Sequence, residues 1–379
     1  MGNTIRILHM IGGLDLGGSQ AFVMNIYRNI NRDLVQFDFI LDHPSERYLE
    51  DEIKSLGGKI FELPAFNGKN ALVVKREWKK FLDAHSEYKV LHSHIRSYAS
   101  LYIPIAKRKG LKTIIHSHST SNGHGFSSLA KAILQYPLRY QADYFFACSP
   151  EAGEWLFGKR ICKTDKFKVL KNAIDIKKFT YSDSKRSKVR QELGINQDEV
   201  VIGFIGRVTE PKNPLFIIDV FYELTKINNN VKLLFVGDGN LLQTVKSRAK
   251  TVGVENKIIF AGTRNDANIL LSAMDLFLFP SLWEGLGISL IEAQASGIKC
   301  ICSERIPNSA IITDLVDVAN LDNDAHFWAD KISHINLKYA RNDTSKIIAE
   351  AGYDINRTTN YLEAFYISHS IPALDNKRG

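Results

Sequence analysis

The sequence predicts an α/β chain of two Rossmann-like, doubly wound domains in series. Three observations carry this expectation. Short apolar runs alternate with stretches of helical period, as βαβ units require. The alternation stops at a polar segment, YSDSKRSKVR over 181–190, and then restarts. Glycine-bearing turns follow several of the apolar runs, where open α/β sheets bind ligands. The 379 residues suit about two domains of ~100–200 residues each.

In chain order, strands are expected over 5–11, 37–41, 59–63, 90–94, 113–116, 144–148 and 168–170. Helices fall between them over 21–30, 48–56, 72–84 and around 100–109. The second half repeats the scheme. Its strands are 200–205, 231–236, 258–261, 276–280 and 299–303, and its helices 214–226, 241–251, 268–274 and 288–296. A last helix over about 355–368 is expected to return to the first domain, and the tail 376–379 to lack order. The domains are therefore read as 1–178 and 179–354, with 355–379 a returning helix and tail.

Composition narrows the class. Hydrophobic residues are 45% and charged residues 24%, which excludes a disordered, collagen-like or coiled-coil chain. The net charge of +8 is uneven: residues 1–180 hold 27 basic and 17 acidic side chains, and residues 181–379 hold 22 and 24. The basic half suits phosphates, nucleic acid or an anionic membrane surface. Four cysteines in a chain this long are no disulfide framework, and a reducing, cytosolic setting fits. Cys300 and Cys302 stand two apart in an apolar run, so they are expected on one face of a strand. The N-terminus lacks a signal-peptide core, and no run of ~18 uncharged apolar residues is available to span a bilayer.

Four motifs could carry chemistry. The first is GGLDLGGSQ over 12–20, whose glycines let backbone N–H groups approach a phosphate at a helix start. Its spacing is not that of a dinucleotide fingerprint. The second is a pair of His-x-His elements, His92/His94 and His116/His118, each pair on one face of its strand. They read either as a polar site where an imidazole meets a substrate hydroxyl, as a zinc site, or as core histidines. The third is GRVTEPKNP from Gly206, where Arg207 and Lys212 suit a diphosphate. The fourth is PSLWEGLGISLIEAQASG over 280–297. Gly285 and Gly287 clear space before a helix start, and Glu284 and Glu292 stand eight apart. An acid in so apolar a stretch as that of Glu292 is costly unless it accepts hydrogen bonds, which a sugar can donate.

Together these residues resemble the retaining glycosyltransferases of family 4 (glycosyl transferases group 1), which have the GT-B fold. EGLGISLIE resembles the E-x(7)-E signature of that family, and GRVTEPKN its phosphate loop. VGDGN over 236–240, FAGTRND over 260–266 and NAIDIKKF over 172–179 resemble its glycine turn, its nucleobase-side loop and its domain-junction element. Two residues depart from the pattern: Ala173 stands for the usual Gly, and Gln294 for a more common Met. The resemblance implies two Rossmann-like domains facing a central cleft. The first would bind the acceptor and the second the nucleotide sugar.

Residue by residue, it implies that Arg207 and Lys212 bind the donor diphosphate and stabilise the leaving group. Glu284 would contact the donor sugar and Glu292 the ribose. Backbone N–H groups around Gly285, Leu286, Gly287 and Ile288 would meet sugar or diphosphate. Gly17 and Gly18 would close on the phosphates, His118 would contact the donor sugar, and Thr263 and Arg264 would flank the base. Arg207, Lys212, Glu284 and His118 form the expected catalytic set.

The expected reaction is metal-independent, retaining hexosyl transfer, since no Asp-x-Asp motif is present to hold a divalent ion. No cofactor is expected. The implied donor is a UDP-hexose or UDP-N-acetylhexosamine. The implied acceptor is a lipid-linked or oligosaccharide intermediate of capsular or exopolysaccharide repeat units, reached by a cytoplasmic protein at the inner face of the membrane. Loops 66–70 and 119–127 would set specificity. The same fold also serves sugar-nucleotide epimerases and synthases. A reading of another class is a basic protein that binds nucleic acid or membrane without catalysis. Nucleic acid is disfavoured, because the basic run at Lys75 alternates with apolar residues as a helix face does. Oligomeric state is open.

Overall fold

The computed structural model describes residues 4–14, 17–43, 47–119 and 126–370. The tail 376–379, Asp15 and Leu16 of the first glycine turn, and most of the 119–127 loop lie outside these residues. The chain divides into two compact units, Met1–Ala173 with Ile355–Gly379, and Ile174–Asp354. The division thus falls a few residues before position 178.

The first unit holds β1 (Ile5–Gly12), β2 (Val35–Leu41), β3 (Ile60–Glu62), β4 (Val90–Ser93), β5 (Lys112–Ser117), β6 (Tyr144–Ala147) and β7 (Phe167–Val169). They form one parallel sheet in the order β3-β2-β1-β4-β5-β6-β7. The direction of winding reverses between β1 and β4. Apolar side chains fill both faces, as a sheet covered on both sides demands. One face packs Ile7, Phe37 and Phe39 against Phe22 and Tyr27 of helix Gly18–Asn29 and Leu362 and Tyr366 of helix Ile355–Ser370. The other packs Leu8, Met10 and Ile115 against Trp78 of helix Ala71–Ala84 and Tyr102, whose rings stack at 4.2 Å.

The second unit holds β8 (Val200–Ile205), β9 (Val231–Val236), β10 (Ile258–Gly262), β11 (Leu276–Phe279), β12 (Lys299–Ser303) and β13 (Val316–Ala319). Their order is β10-β9-β8-β11-β12-β13, all parallel, with the reversal between β8 and β11. Cys300 and Cys302 are buried in one core cluster on one face of β12, and all four cysteines are free thiols.

The polar segment that interrupts the sequence pattern is not an irregular break. It is a helix, Asp183–Glu192, inside the second unit. Its Arg190 is fully buried, with hydrogen bonds to Asp275 at 2.7 Å and to the carbonyls of Ala273, Asn196 and Glu199 at 3.0 Å. A guanidinium with its donors satisfied packs as core, which a count of polar residues does not show. Helices Pro150–Phe157 and Ala325–Ser333 also escape the apolar pattern. Each starts at a side-chain cap, Ser149 to Ala152 N at 3.2 Å and Asp324 to Phe327 N at 2.9 Å.

Candidate donor site in the second unit and a histidine cluster in the first

The second unit gathers four loops at the carboxyl ends of β10, β9, β8 and β11, across the winding reversal where such sheets bind ligands. Backbone bonds tie each loop to the next. Gly237 N donates to Gly262 O at 2.8 Å, and Gly206 N to Val236 O at 3.1 Å. Val208 N donates to Asp238 O at 2.8 Å, and Leu282 N to Pro211 O at 2.8 Å. This row needs glycine at Gly237: its φ is +135°, and a Cβ there would overlap the Gly206 carbonyl oxygen.

The loop after β8 tightens into a single turn, Glu210–Lys212, and ends at Asn213 with φ +52° before helix Pro214–Ile227. That turn aims Lys212 across at Glu284 on the loop after β11. The two form an ion pair, with both side chains largely buried. The Lys212 ammonium also lies 5.3 Å from the centre of the Phe279 ring. Arg207 stands exposed, with no side-chain partner among the described residues.

Helix Ile288–Ala295 starts at Gly287, whose φ of +84° suits glycine and which offers no side-chain cap. Its first N–H groups therefore stay open to a ligand. Glu292, one turn in, is partly buried, and its carboxyl has no partner among the described residues. Burial pushes it up to about 8. Gln294 faces the other way and is fully buried. It donates to Leu290 O at 3.0 Å and Ala310 O at 2.7 Å, and accepts from Ile312 N at 2.8 Å and Thr313 N at 3.0 Å. It fixes the helix against the 310–313 segment. Thr263 is exposed at the end of the row. Arg264 beside it is held by Asp266, at 2.8 and 2.7 Å, and by Glu192 at 3.0 Å.

In the first unit, helix Gly18–Asn29 starts at Gly17, which offers no side-chain cap. The two His-x-His elements come together, and a fifth ring, His9 of β1, joins them because register sets His9 beside His92. His94 Nδ1 lies 2.8 Å from His118 Nε2, and His94 Nε2 3.2 Å from His9 Nδ1. His92 Nε2 lies 3.2 Å from His116 Nδ1, and its Nδ1 2.7 Å from the Tyr366 hydroxyl. Burial holds His9, His92, His94 and His116 well below the usual histidine range, and burial with the Arg96 charge holds His118 at about 3. All five rings are neutral at pH 7. His9 was legible only through the pairing of strands far apart in sequence, and Tyr366 through no sequence signal.

Comparison with known proteins bears on the family and the fold. Residues 16–178 match the family model described as Glycosyltransferase Family 4, and residues 185–352 that described as Glycosyl transferases group 1. The chain is 28% identical over 368 residues to EpsF of Bacillus subtilis (strain 168), a glycosyltransferase by its name, covering 95% of this chain and 96% of that one. It is 25% identical over 397 residues to an Escherichia coli protein named UDP-Gal:alpha-D-GlcNAc-diphosphoundecaprenol alpha-1,3-galactosyltransferase, covering 96% and 97%. Its fold matches that of HepE from Anabaena, solved with UDP and glucose, at a TM-score of 0.72 and 19% identity, over 96% of this chain and 100% of that one. Each half of the sequence matches its own model of one enzyme group, and the two together cover most of the chain: the chain belongs to the family 4 (group 1) glycosyltransferases of GT-B fold.

Proposed function

We propose that this protein transfers a hexosyl or N-acetylhexosaminyl group from a UDP-sugar to a lipid-linked glycan acceptor, with retention and without a metal ion. The observation that carries the reading is the row of tied loops in the second unit, with Lys212 and Glu284 paired beside an open helix start and the unpartnered Glu292. In this reading Arg207 and Lys212 take the donor diphosphate, joined by the N–H groups at Leu286 to Ile288. Cations and helix dipole stabilise the charge that develops as the bond from sugar C1 to the phosphate oxygen breaks, a role in which one donor is typically worth about 3–4 kcal/mol. The acceptor oxygen attacks the same face, and its proton leaves with the diphosphate. Glu284 positions the sugar through a hydroxyl and holds Lys212 in place. Glu292 receives the ribose hydroxyls. Gly17, Gly18 and His118 serve the donor from the first unit, Thr263 flanks the base, and Arg264 supports that loop through its pairs with Asp266 and Glu192.

The names of two relatives support the acceptor and the pathway. One is named for action on a sugar-diphosphoundecaprenol, and the other, CapH of Staphylococcus aureus, for capsular polysaccharide biosynthesis. Membrane association is part of the proposal. Leu129, Ile133, Tyr136 and Tyr140 are exposed at helical spacing in the first unit, beside Lys131 and Arg139. No helix among the described residues is long and apolar enough to cross a membrane.

A donor-hydrolysis panel of UDP- and GDP-sugars, with Glu284→Ala as control, tests the reading. Turnover of a UDP-sugar by the wild type, lost by roughly 100-fold or more in Arg207→Ala and Lys212→Ala, is expected. Full activity in EDTA is expected as well. Strict Mn²⁺ dependence would remove the metal-free mechanism, and failure of every nucleotide sugar would remove the donor site. Product analysis with and without acceptor separates transfer from epimerisation.

A further inference from the structure

The five-histidine cluster of the first unit is larger than a single donor contact needs. It has no carboxylate partner among the described residues, and His9 Nε2, His116 Nε2 and His118 Nδ1 have no hydrogen-bond partner. Leaving such buried groups unpaired costs about 1–3 kcal/mol each. His94, His116 and His118 can each offer one nitrogen, and the three nitrogens lie within 4.8 Å of one another.

We propose that His94, His116 and His118 bind one late first-row divalent cation, Zn²⁺ being the type, with His9 and His92 orienting two of the ligands. The tautomers decide which atoms serve. His94 points Nδ1 at His118 and Nε2 at His9. His116 has Nδ1 on His92, which leaves its unpartnered Nε2 for the ion. Let the ion take His94 Nδ1, His116 Nε2 and His118 Nε2. Then His94 Nε2–H donates to His9 Nδ1, His116 Nδ1–H to His92 Nε2, and His92 Nδ1–H to the Tyr366 oxygen. Every ring stays neutral, and the ion takes up His116 Nε2, while His9 Nε2 and His118 Nδ1 keep their protons without a partner among the described residues.

A metal-bound histidine normally donates its second nitrogen to such a partner, which fixes the ring and raises its basicity. Here imidazoles replace the usual carboxylates. Three neutral histidines with an open fourth position are an accepted zinc ligand set. Zn–N bonds of about 2.0–2.1 Å bring the ligand nitrogens to roughly 3.3 Å apart, so closure asks for side-chain shifts on the order of 1 Å and, because the His116 and His118 rings stack at 4.1 Å and 25°, for rotation of one of these rings. His118 is the least buried of the five. An ion there would compete with a donor contact of the same ring, so Zn²⁺ is expected to slow transfer and EDTA to restore it.

The test counts metal, not turnover, and so stands apart from the donor reading. The full chain is stripped with chelator and dialysed against Zn²⁺, and bound zinc is measured. Co²⁺ loading is followed by visible d–d absorption. One equivalent of Zn²⁺ that displaces Co²⁺ is expected. His94→Asn, His116→Asn and His118→Asn should each lower affinity by more than about 100-fold, and His92→Asn by roughly 10–100-fold. His326→Asn, exposed in the second unit, should change nothing. His118→Asn is the ligand change least able to disturb the core, and its thermal midpoint is recorded beside its metal content. A wild-type chain that binds less than one equivalent overturns the proposal. So does a folded His118→Asn protein that binds zinc like the wild type.

Discussion

At the residue scale, Gln294 and Glu292 share one helix and behave oppositely. Gln294 satisfies four backbone groups, so replacing it with the isosteric Met removes no volume but orphans buried N–H and C=O groups. At about 1–3 kcal/mol for each orphan, Gln294→Met should cost at least about 4 kcal/mol, read as a lower denaturant midpoint. No change in midpoint would show that the 310–313 segment finds other partners. Glu292 is desolvated and without a partner among the described residues, and its carboxyl is raised to about 8 from an ordinary value of 4.5. The folded state then holds a proton that the unfolded state has lost. Its burial penalty is absent below pH 4.5, grows as pH rises, and is complete above about pH 8. Glu292→Gln should therefore match the wild type near pH 4 and be more stable at pH 8 and above. Hydroxyl donors favour the carboxylate, so UDP affinity should rise between pH 6 and 8 in the wild type and stay flat in Glu292→Gln. A flat wild-type profile would mean that the ribose does not meet this carboxyl. The packing role of Gln294 is not visible in the letters alone, since an acid and an amide two positions apart read the same to a hydrophobicity pattern.

At the element scale, the helix Asp183–Glu192 has the least apolar sequence and one of the most demanding packings. Asp275 holds both Arg186 and Arg190 at 2.7 Å and accepts from Val201 N at 2.8 Å, joining this helix to the starts of β8 and β11. Removing one partner of such a buried pair leaves a charge uncompensated. Arg190→Leu should lower stability by about 3–5 kcal/mol, while Lys188→Leu on the exposed side of the same helix should shift the thermal midpoint little. Equal effects of the two would place Arg190 outside the core. The helix Ala71–Ala84 is the reverse case. Val74, Trp78 and Leu82 recur every fourth residue and are all buried, and Lys75, Arg76, Lys79 and Lys80 are all exposed, as the period requires.

At the scale of the whole molecule, charge follows the units. The first unit, Met1–Ala173 with Ile355–Gly379, carries 28 basic and 18 acidic residues, or +10, and the second carries 21 and 23, or −2. An anionic bilayer should therefore attract the first unit. Charge reversal of Lys75, Arg76, Lys79 and Lys80 together should weaken co-sedimentation with phosphatidylglycerol vesicles, steeply so at low salt. Leu129→Ser with Ile133→Ser should weaken it at all salt concentrations, because insertion of apolar side chains is not screened. Unchanged binding in both variants would remove the membrane from the proposal.

By itself the sequence determined the alternation of strands and helices and the motif set at the strand ends, because these depend on period and on local turn chemistry. Lys212, Glu284 and Glu292 were legible for that reason. Only the tertiary structure decided what these groups touch. The pairing of Lys212 with Glu284 spans 72 residues, and that of His92 with Tyr366 spans 274. The burial of Arg190, the company of His9 and the single sheet face shared by five imidazoles follow from strand order and register. Those are set by packing across the chain, and no window along the sequence contains them.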